Sequence, residues 1–301
     1  MLGRGSLRSF TGLTYAWFAL WFLAPTGIML LYAFGRTASV NQSGLVKLNH
    51  LGFGNFFQAL RYPTGPVLVI SLENAVLATA LCGLIAYPVA YFIARKLGPR
   101  VRVLVLLLVV LPFWTDYLLR MLGWRIFLSP LGLLFNAMNA VGWHVTYVSL
   151  LDTRTAVMIG LVYNYVPLFI LPLAVVLERI DPQLLQAADD LGAKPWTIFR
   201  TITFPISMTG VVAGTVLVFV PMLGDYVTPT LMGGARGLMI GSLVASEFNE
   251  GQNWSLGAAM AIVLIVVIVL IVLACWLLAG GTRYLLNRSR RRSLERVWAP
   301  A

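Results

Sequence analysis

Three acids stand inside or at the edge of long apolar runs: Glu73, Asp116 and Asp225. An ionised side chain near the middle of a bilayer costs about 2.5–3.5 kcal/mol on insertion scales, so acids in such places need a reason. Trp114 and Tyr226 adjoin this set, and an aromatic face beside a carboxylate suits an organic cation. Glu73, next to Ser71 and Asn74, falls in the first turn of its predicted helix, where a carboxylate also serves as a cap. Asp116 has Arg120 four residues on, and that pairing is a sufficient structural explanation. Asp225 has no evident local partner and ranks first as a residue lining a polar route. Glu247 and Glu250 fall on the same side of the chain, but so do Arg120, Arg125 and Arg236. The sign of a bound solute is therefore open at this level.

Other chemistry is poorly provided for. A P-loop needs Gly-x-x-x-x-Gly-Lys-Ser/Thr, and the chain's three lysines precede Leu48, Leu97 and Pro195. Neither a Gly-x-Ser-x-Gly elbow nor a His-Glu-x-x-His helix occurs. Cys82 and Cys275 both sit in apolar runs and read as small buried hydrophobes. His50 and His144 lie far apart without ligand-spaced companions, so no metal site and no cofactor is expected. The sequence is not that of an enzyme.

The elements that must position the acids are membrane helices. The chain is 59 % hydrophobic and only 11 % charged, against about 25 % charged residues in soluble domains. Six runs are long enough to cross a bilayer: Thr14–Phe34, Val67–Ala94, Val103–Leu119, Thr155–Leu177, Ser207–Val227 and Leu256–Leu278. The net charge of +11 is spread through the connecting segments rather than gathered on one face, which points to membrane orientation and lipid, not nucleic acid. With the N-terminus inside, 15 of the 22 Lys and Arg fall in cytoplasmic segments, so both termini are expected there. Outer loops Gly35–Pro66, Arg120–Arg154 and Thr228–Ser255 place Trp124, Trp143 and Trp254 at the interface. Three regions result: 1–66 with the first span and outer loop, a core at 67–282, and a basic tail at 283–301.

One polar segment, 178–205, interrupts the apolar pattern on the inner side. Asp181-Pro182 fits a helix start, with Asp capping and Pro at the first position. Gln183–Leu191 holds good helix formers, with Ala187 and Ala188 presenting a small-residue surface. Gly192 suits the left-handed turn that ends such a helix. A second piece begins at Lys194-Pro195, carries Trp196, Ile198, Phe199 and Ile202 along one stripe, and is expected to stop at Pro205. A helix, a glycine turn and a second helix form an element that docks on a soluble partner.

Gln186-Ala187-Ala188, Gly192, Ile202 and Pro205 stand at the spacing of the EAA loop, which the segment resembles; that loop belongs to permeases of ABC importers. The family pattern has Glu and Leu where this chain has Gln186 and Phe204. Further stretches resemble permeases of the spermidine/putrescine class. They are Pro112-Phe113-Trp114-Thr115 with Leu119-Arg120, Gly160-Leu161-Val162-Tyr163, Val218-Phe219-Val220-Pro221 with Leu223-Gly224-Asp225-Tyr226, and Leu231-Met232-Gly233-Gly234. They run in the same order and span about Ser71 to Trp276. The resemblance implies an all-α membrane protein of the type I importer fold, in the bacterial inner membrane. It implies coupling to an ATPase through Gln186, Ala187, Ala188, Asp189, Asp190, Gly192, Ala193 and Pro205. The implied partners are a cytoplasmic ABC ATPase dimer, a second, non-identical permease subunit, and a periplasmic solute-binding protein. The implied solute is small and charged, such as a polyamine. The competing expectation, an ion-coupled secondary transporter, wants midplane carboxylates or histidines that these spans almost entirely lack.

Overall fold

The computed structural model describes residues 4–37, 46–48, 51–61, 63–130, 132–142 and 150–297. Trp143, His50, His144 and the side chains of Cys275 and the arginines of the C-terminal tail lie outside the described residues. The chain begins with helix α1 (Arg4–Phe34), then a two-stranded antiparallel ribbon, β1 (Arg36–Thr37) with β2 (Val46–Lys47), and α2 (Gly54–Leu60). There follow α3 (Thr64–Lys96), α4 (Pro99–Val110), a 3-10 turn over Leu111–Trp114, α5 (Tyr117–Leu128), α6 (Leu133–Ala140) and α7 (Arg154–Glu178). The polar segment folds as α8 (Pro182–Asp190) and α9 (Pro195–Ile198), and α10 (Phe204–Gly224), α11 (Ile240–Asn249) and α12 (Trp254–Val297) complete the chain.

The centre of the bundle is the α3–α7–α10 contact. On α3 the buried residues Ala75, Ala78, Cys82, Ala86 and Ala90 form a narrow stripe of small side chains, against which Leu161, Phe169, Leu173 and Leu177 of α7 pack. Small residues let membrane helices approach closely, which replaces the hydrophobic drive that lipid does not supply. Gly214 of α10 shows how tight the fit is: a Cβ there would stand 2.8 Å from Cδ1 of Phe169. Cys82 is buried in this seam, its thiol 3.8 Å from the Val162 carbonyl, as its apolar surroundings suggested. By contrast α1 packs mainly on α12 and turns Tyr15, Trp17, Phe18 and Trp21 outward, a surface suited to lipid or to a partner helix.

Among the described residues six stretches are long and apolar enough to cross a membrane. Four coincide with the expected runs to within a few residues, and a fifth, Pro195–Gly224, begins well before Ser207. The third differs. Val103–Leu119 is not one helix, because the chain breaks at Thr115 and Asp116 begins a new one. Arg102 at the start of this region reaches Glu178 at the last turn of α7, while Tyr117 at its end reaches Asp225, beyond the last turn of α10. The segment from Pro99 to Trp114 therefore climbs the depth of the bundle, about 26 Å from its helical rise. The third of the six apolar stretches is instead Tyr117–Ala140, which is divided into α5 and α6, with Gly132 turning tightly against the carbonyls of Ile126 and Phe127.

Two other boundaries move. Helix α3 starts at Thr64, so Glu73 lies more than two turns in rather than in the first turn. Pro205 does not stop the second piece of the polar segment: α9 continues through a π-helical stretch, Phe199–Thr203, into α10. The wider turn lets the Phe204 amide donate to the Phe199 carbonyl, so the chain passes into the next helix although Pro205 has no N–H to give.

Candidate functional site

Helix α8 forms where its caps dictate. The Gln183 amide donates to Oδ1 of Asp181 at 2.9 Å, and Pro182 occupies the first turn, where its missing N–H costs nothing. At the other end Gly192 has φ +77°; its amide donates to the Asp189 carbonyl at 2.8 Å, and the Ala193 amide to the Ala188 carbonyl at 3.1 Å. This pair of reversed bonds is the Schellman stop, and it satisfies carbonyls that the helix end leaves open. The turn points the chain back toward the bundle at Lys194 and Pro195.

The second half of the segment is fastened to the bundle by aromatic rings. Trp196 stacks on Phe199 with centroids 5.3 Å apart, and Phe199 meets Tyr87 of α3 edge-on at 5.7 Å. Tyr87 in turn shares a hydrogen bond with Ser207 at 2.8 Å. Ile198, Phe199 and Ile202 of the expected apolar stripe are half-buried, whereas Trp196, its first member, is exposed. Gln186, Ala187, Asp189, Asp190 and Gly192 are exposed, Ala188 and Ala193 half-buried, and Pro205 exposed at the base. Leu191 is 87 % exposed and Trp196 69 %. The capped end of α8 at Leu191 and the start of α9 at Trp196 thus each leave a large apolar side chain exposed.

At the base of the segment Arg102 gathers three acceptors. Its Nη1 lies 2.5 Å from Oε1 of Glu178, its Nη2 donates to the Leu97 carbonyl at 3.1 Å, and its Nε to the Ile93 carbonyl at 3.3 Å. The last carbonyls of α3 and the last side chain of α7 are thereby held by one guanidinium.

The opposite end of the bundle corrects the reading of the acids. Asp225 is 6 % exposed and has partners in abundance. It accepts from the amides of Val227 at 3.0 Å and Thr228 at 3.2 Å, from the Thr228 hydroxyl at 2.7 Å and from the Tyr117 hydroxyl at 2.5 Å. Its spacing to Thr228-Pro229 is that of a helix cap, a local signal available in the sequence; Tyr117 is distant in sequence and carried none. Asp116 does not stand at a helix C-terminus and forms no ion pair with Arg120. It caps α5 by accepting from the Leu119 amide at 3.2 Å. The Arg120 guanidinium lies instead over the rings of Phe113 and Tyr117, 5.2 Å and 5.6 Å from their centroids. Glu73 pairs with Arg154 at 3.1 Å, and Arg154 also donates to Asn74. Trp114 and Tyr226 are exposed and do not converge on the Asp225 carboxylate.

Two hollows differ in their lining. One of about 390 Å3 is lined by Arg120, Gly123, Trp124, Phe127 and Tyr163. The other, about 440 Å3, is apolar and lies between α3, α7, α10 and α12, against Val76, Thr79, Phe169, Thr215, Phe219 and Ile271.

Six crossings around an α3–α7–α10 core, with a capped helix–glycine–helix loop between the fourth and fifth, define a class: the membrane-embedded permease subunits of ABC importers with the type I fold. The chain belongs to the family of binding-protein-dependent transport system inner membrane components, which it matches over residues 80–284. It is 36 % identical to the spermidine/putrescine transport system permease protein PotB of Haemophilus influenzae over 250 residues, 83 % of this chain and 86 % of that one. The PotB protein of Escherichia coli K12 is 41 % identical over 210 residues, 70 % and 76 % of the two chains. The fold resembles a bacterial alginate ABC transporter solved with an alginate pentasaccharide-bound periplasmic protein, with a TM-score of 0.70 at 18 % identity, covering 89 % of this chain and 92 % of that one. An inward-facing MetNI methionine transporter aligns over 73 % of this chain and 98 % of its own, with a TM-score of 0.52 at 14 % identity. The protein is a multi-pass inner-membrane transport component, not a catalytic domain.

Proposed function

We propose that this permease forms half of the translocation path of a polyamine importer. Identity of 36–41 % to PotB proteins over most of the chain is the observation that carries the substrate class. In this reading the α8–α9 loop and both termini face the cytoplasm, in keeping with the Lys and Arg distribution. An ATPase dimer grips the loop at Gln186, Ala187, Asp189, Asp190 and the exposed Leu191, while Gly192 and Ala193 set the angle and Pro205 the passage into α10. Residues 67–282 form the permease core beside a second, non-identical permease subunit, and 283–301 hold the C-terminus inside. A periplasmic binding protein delivers the solute to the opposite mouth.

Closure of the ATPase dimer on ATP moves the loop, and the helices rock between outward- and inward-open arrangements. At the outer mouth Trp114 and Tyr226 offer exposed aromatic faces to an ammonium group and Asp116 an exposed carboxylate, while Glu73 contributes only by giving up its pair with Arg154. Asp225 contributes to cation binding only by exchanging its Tyr117 and Thr228 donors for the solute.

Uptake of labelled spermidine and putrescine by cells carrying the whole transporter tests this reading. A Cβ at Gly192 meets no atom of this chain within 4 Å, so within the permease Gly192→Leu acts through φ, at about 1–2 kcal/mol of local strain. Uptake is expected to be lost while membrane insertion is kept. Undiminished uptake by that variant removes the docking role, and failure of the unaltered transporter to take up either amine removes the substrate class.

A further inference from the structure

Helix α7 is tied to its neighbours by an ion pair at each end. Arg154, its first residue, holds Glu73 and Asn74 of α3; Glu178, its last, is held by Arg102. Between these ties α3 and α7 share the buried small-residue seam. The two helices therefore form a braced pair. The polar loop leaves this pair directly at Glu178, and Ile180, two residues on, is already buried against it.

We infer that Arg102 is the positioning residue through which displacement of the α8–α9 loop is passed to the braced α3–α7 pair. This rests on the reading that an ATPase grips the loop. The side chain is suited to the task, being only 16 % exposed, with its planar guanidinium meeting acceptors on two helices at once. A lysine carries its three N–H donors on one nitrogen and lacks the spread of the guanidinium fork, which here places Nη1 on Glu178, Nη2 on the Leu97 carbonyl and Nε on the Ile93 carbonyl. The neighbouring Arg95 makes no such tie: its Nε and Nη2 are buried without a hydrogen-bond partner among the described residues. If Arg102 is lost, the loop can move without carrying the end of α7 against α3.

The test uses the intact transporter, purified with its ATPase and partner permease and reconstituted with the binding protein, reading solute moved per ATP hydrolysed. Arg102→Gln is expected to keep ATP hydrolysis and to lower uptake per ATP about tenfold, the scale of one charge-assisted hydrogen bond. Arg102→Lys is expected to fall between. In a chain lacking Cys82 and Cys275, Arg102→Cys with Glu178→Cys is expected to be uncoupled until a short thiol cross-linker joins the pair, and to recover afterwards. Unaltered uptake per ATP in Arg102→Gln overturns the inference. Should that variant fail to assemble, the bridged pair decides: recovery supports the tie and its absence refutes it. An ATPase that does not co-purify with the unaltered chain instead defeats the importer reading itself, whatever Arg102 does.

Discussion

The Tyr117 hydroxyl donates to Oδ2 of Asp225 at 2.5 Å, joining α5 to the chain just beyond α10. The Thr228 hydroxyl reaches the same oxygen at 2.7 Å, so three side-chain oxygens meet in a pocket that water scarcely enters. The carboxylate is thus met by hydroxyl donors from two different segments of the protein.

Removing only the Tyr117 hydroxyl isolates this bond. Tyr117→Phe is expected to destabilise the permease by about 1–2 kcal/mol, the range found for hydrogen bonds between membrane helices in model peptides. Thermal unfolding of the purified chain in detergent measures it. A Tm equal to that of the unaltered protein means that the bond adds no stability.

Phe169 lies between two glycines, with prospective Cβ atoms 2.8 Å away at Gly214 and 3.2 Å away at Gly83. The ring cannot retreat from one side without meeting the other. Gly214→Leu is expected to cost about 1–3 kcal/mol from overpacking and to lower the amount of folded protein in the membrane. Combining Gly214→Ala with Phe169→Leu should recover most of the loss. Equal folded yields from Gly214→Leu and the unaltered chain would contradict the close packing.

Burial raises the Glu247 carboxyl above its ordinary value of 4.5. A group whose folded-state pKa is raised stabilises the fold while protonated, so this contribution is present below about 4.5 and fades as the pH climbs through the raised value. Glu247→Gln, which stays neutral, should be more stable than the unaltered chain at neutral pH and should lose that advantage in acid. Melting curves across this range check the sign, and a constant difference between the two proteins contradicts it.

Much of the architecture was legible because membrane helices announce themselves by length and apolarity, each run being judged alone. The polar loop was equally legible, since Asp181-Pro182 and Gly192 act on backbone within a few residues of themselves. The run through Pro205 was misread because a π-helical stretch bypasses the missing N–H, and no residue type marks such a stretch. The break at Thr115 was hidden by apolar residues on both sides, which satisfy a hydropathy window whether or not the helix is continuous.

The acids show where local reading ends. Asp225 without Tyr117 looks like an unpartnered charge, Asp116 looks like the mate of Arg120, and Arg102 looks like one of several orientation-setting cations. The sequence by itself determined six apolar crossings and a capped polar loop, because hydropathy and helix capping are settled within a turn or a span, while the permease assignment rested on the resemblance of its motifs. Only the tertiary structure decided which charges are spoken for. Pairs such as Tyr117 with Asp225, Arg154 with Glu73 and Arg102 with Glu178 are made by helices distant along the chain, and the small-residue seam of α3 and α7 sets how close those helices come.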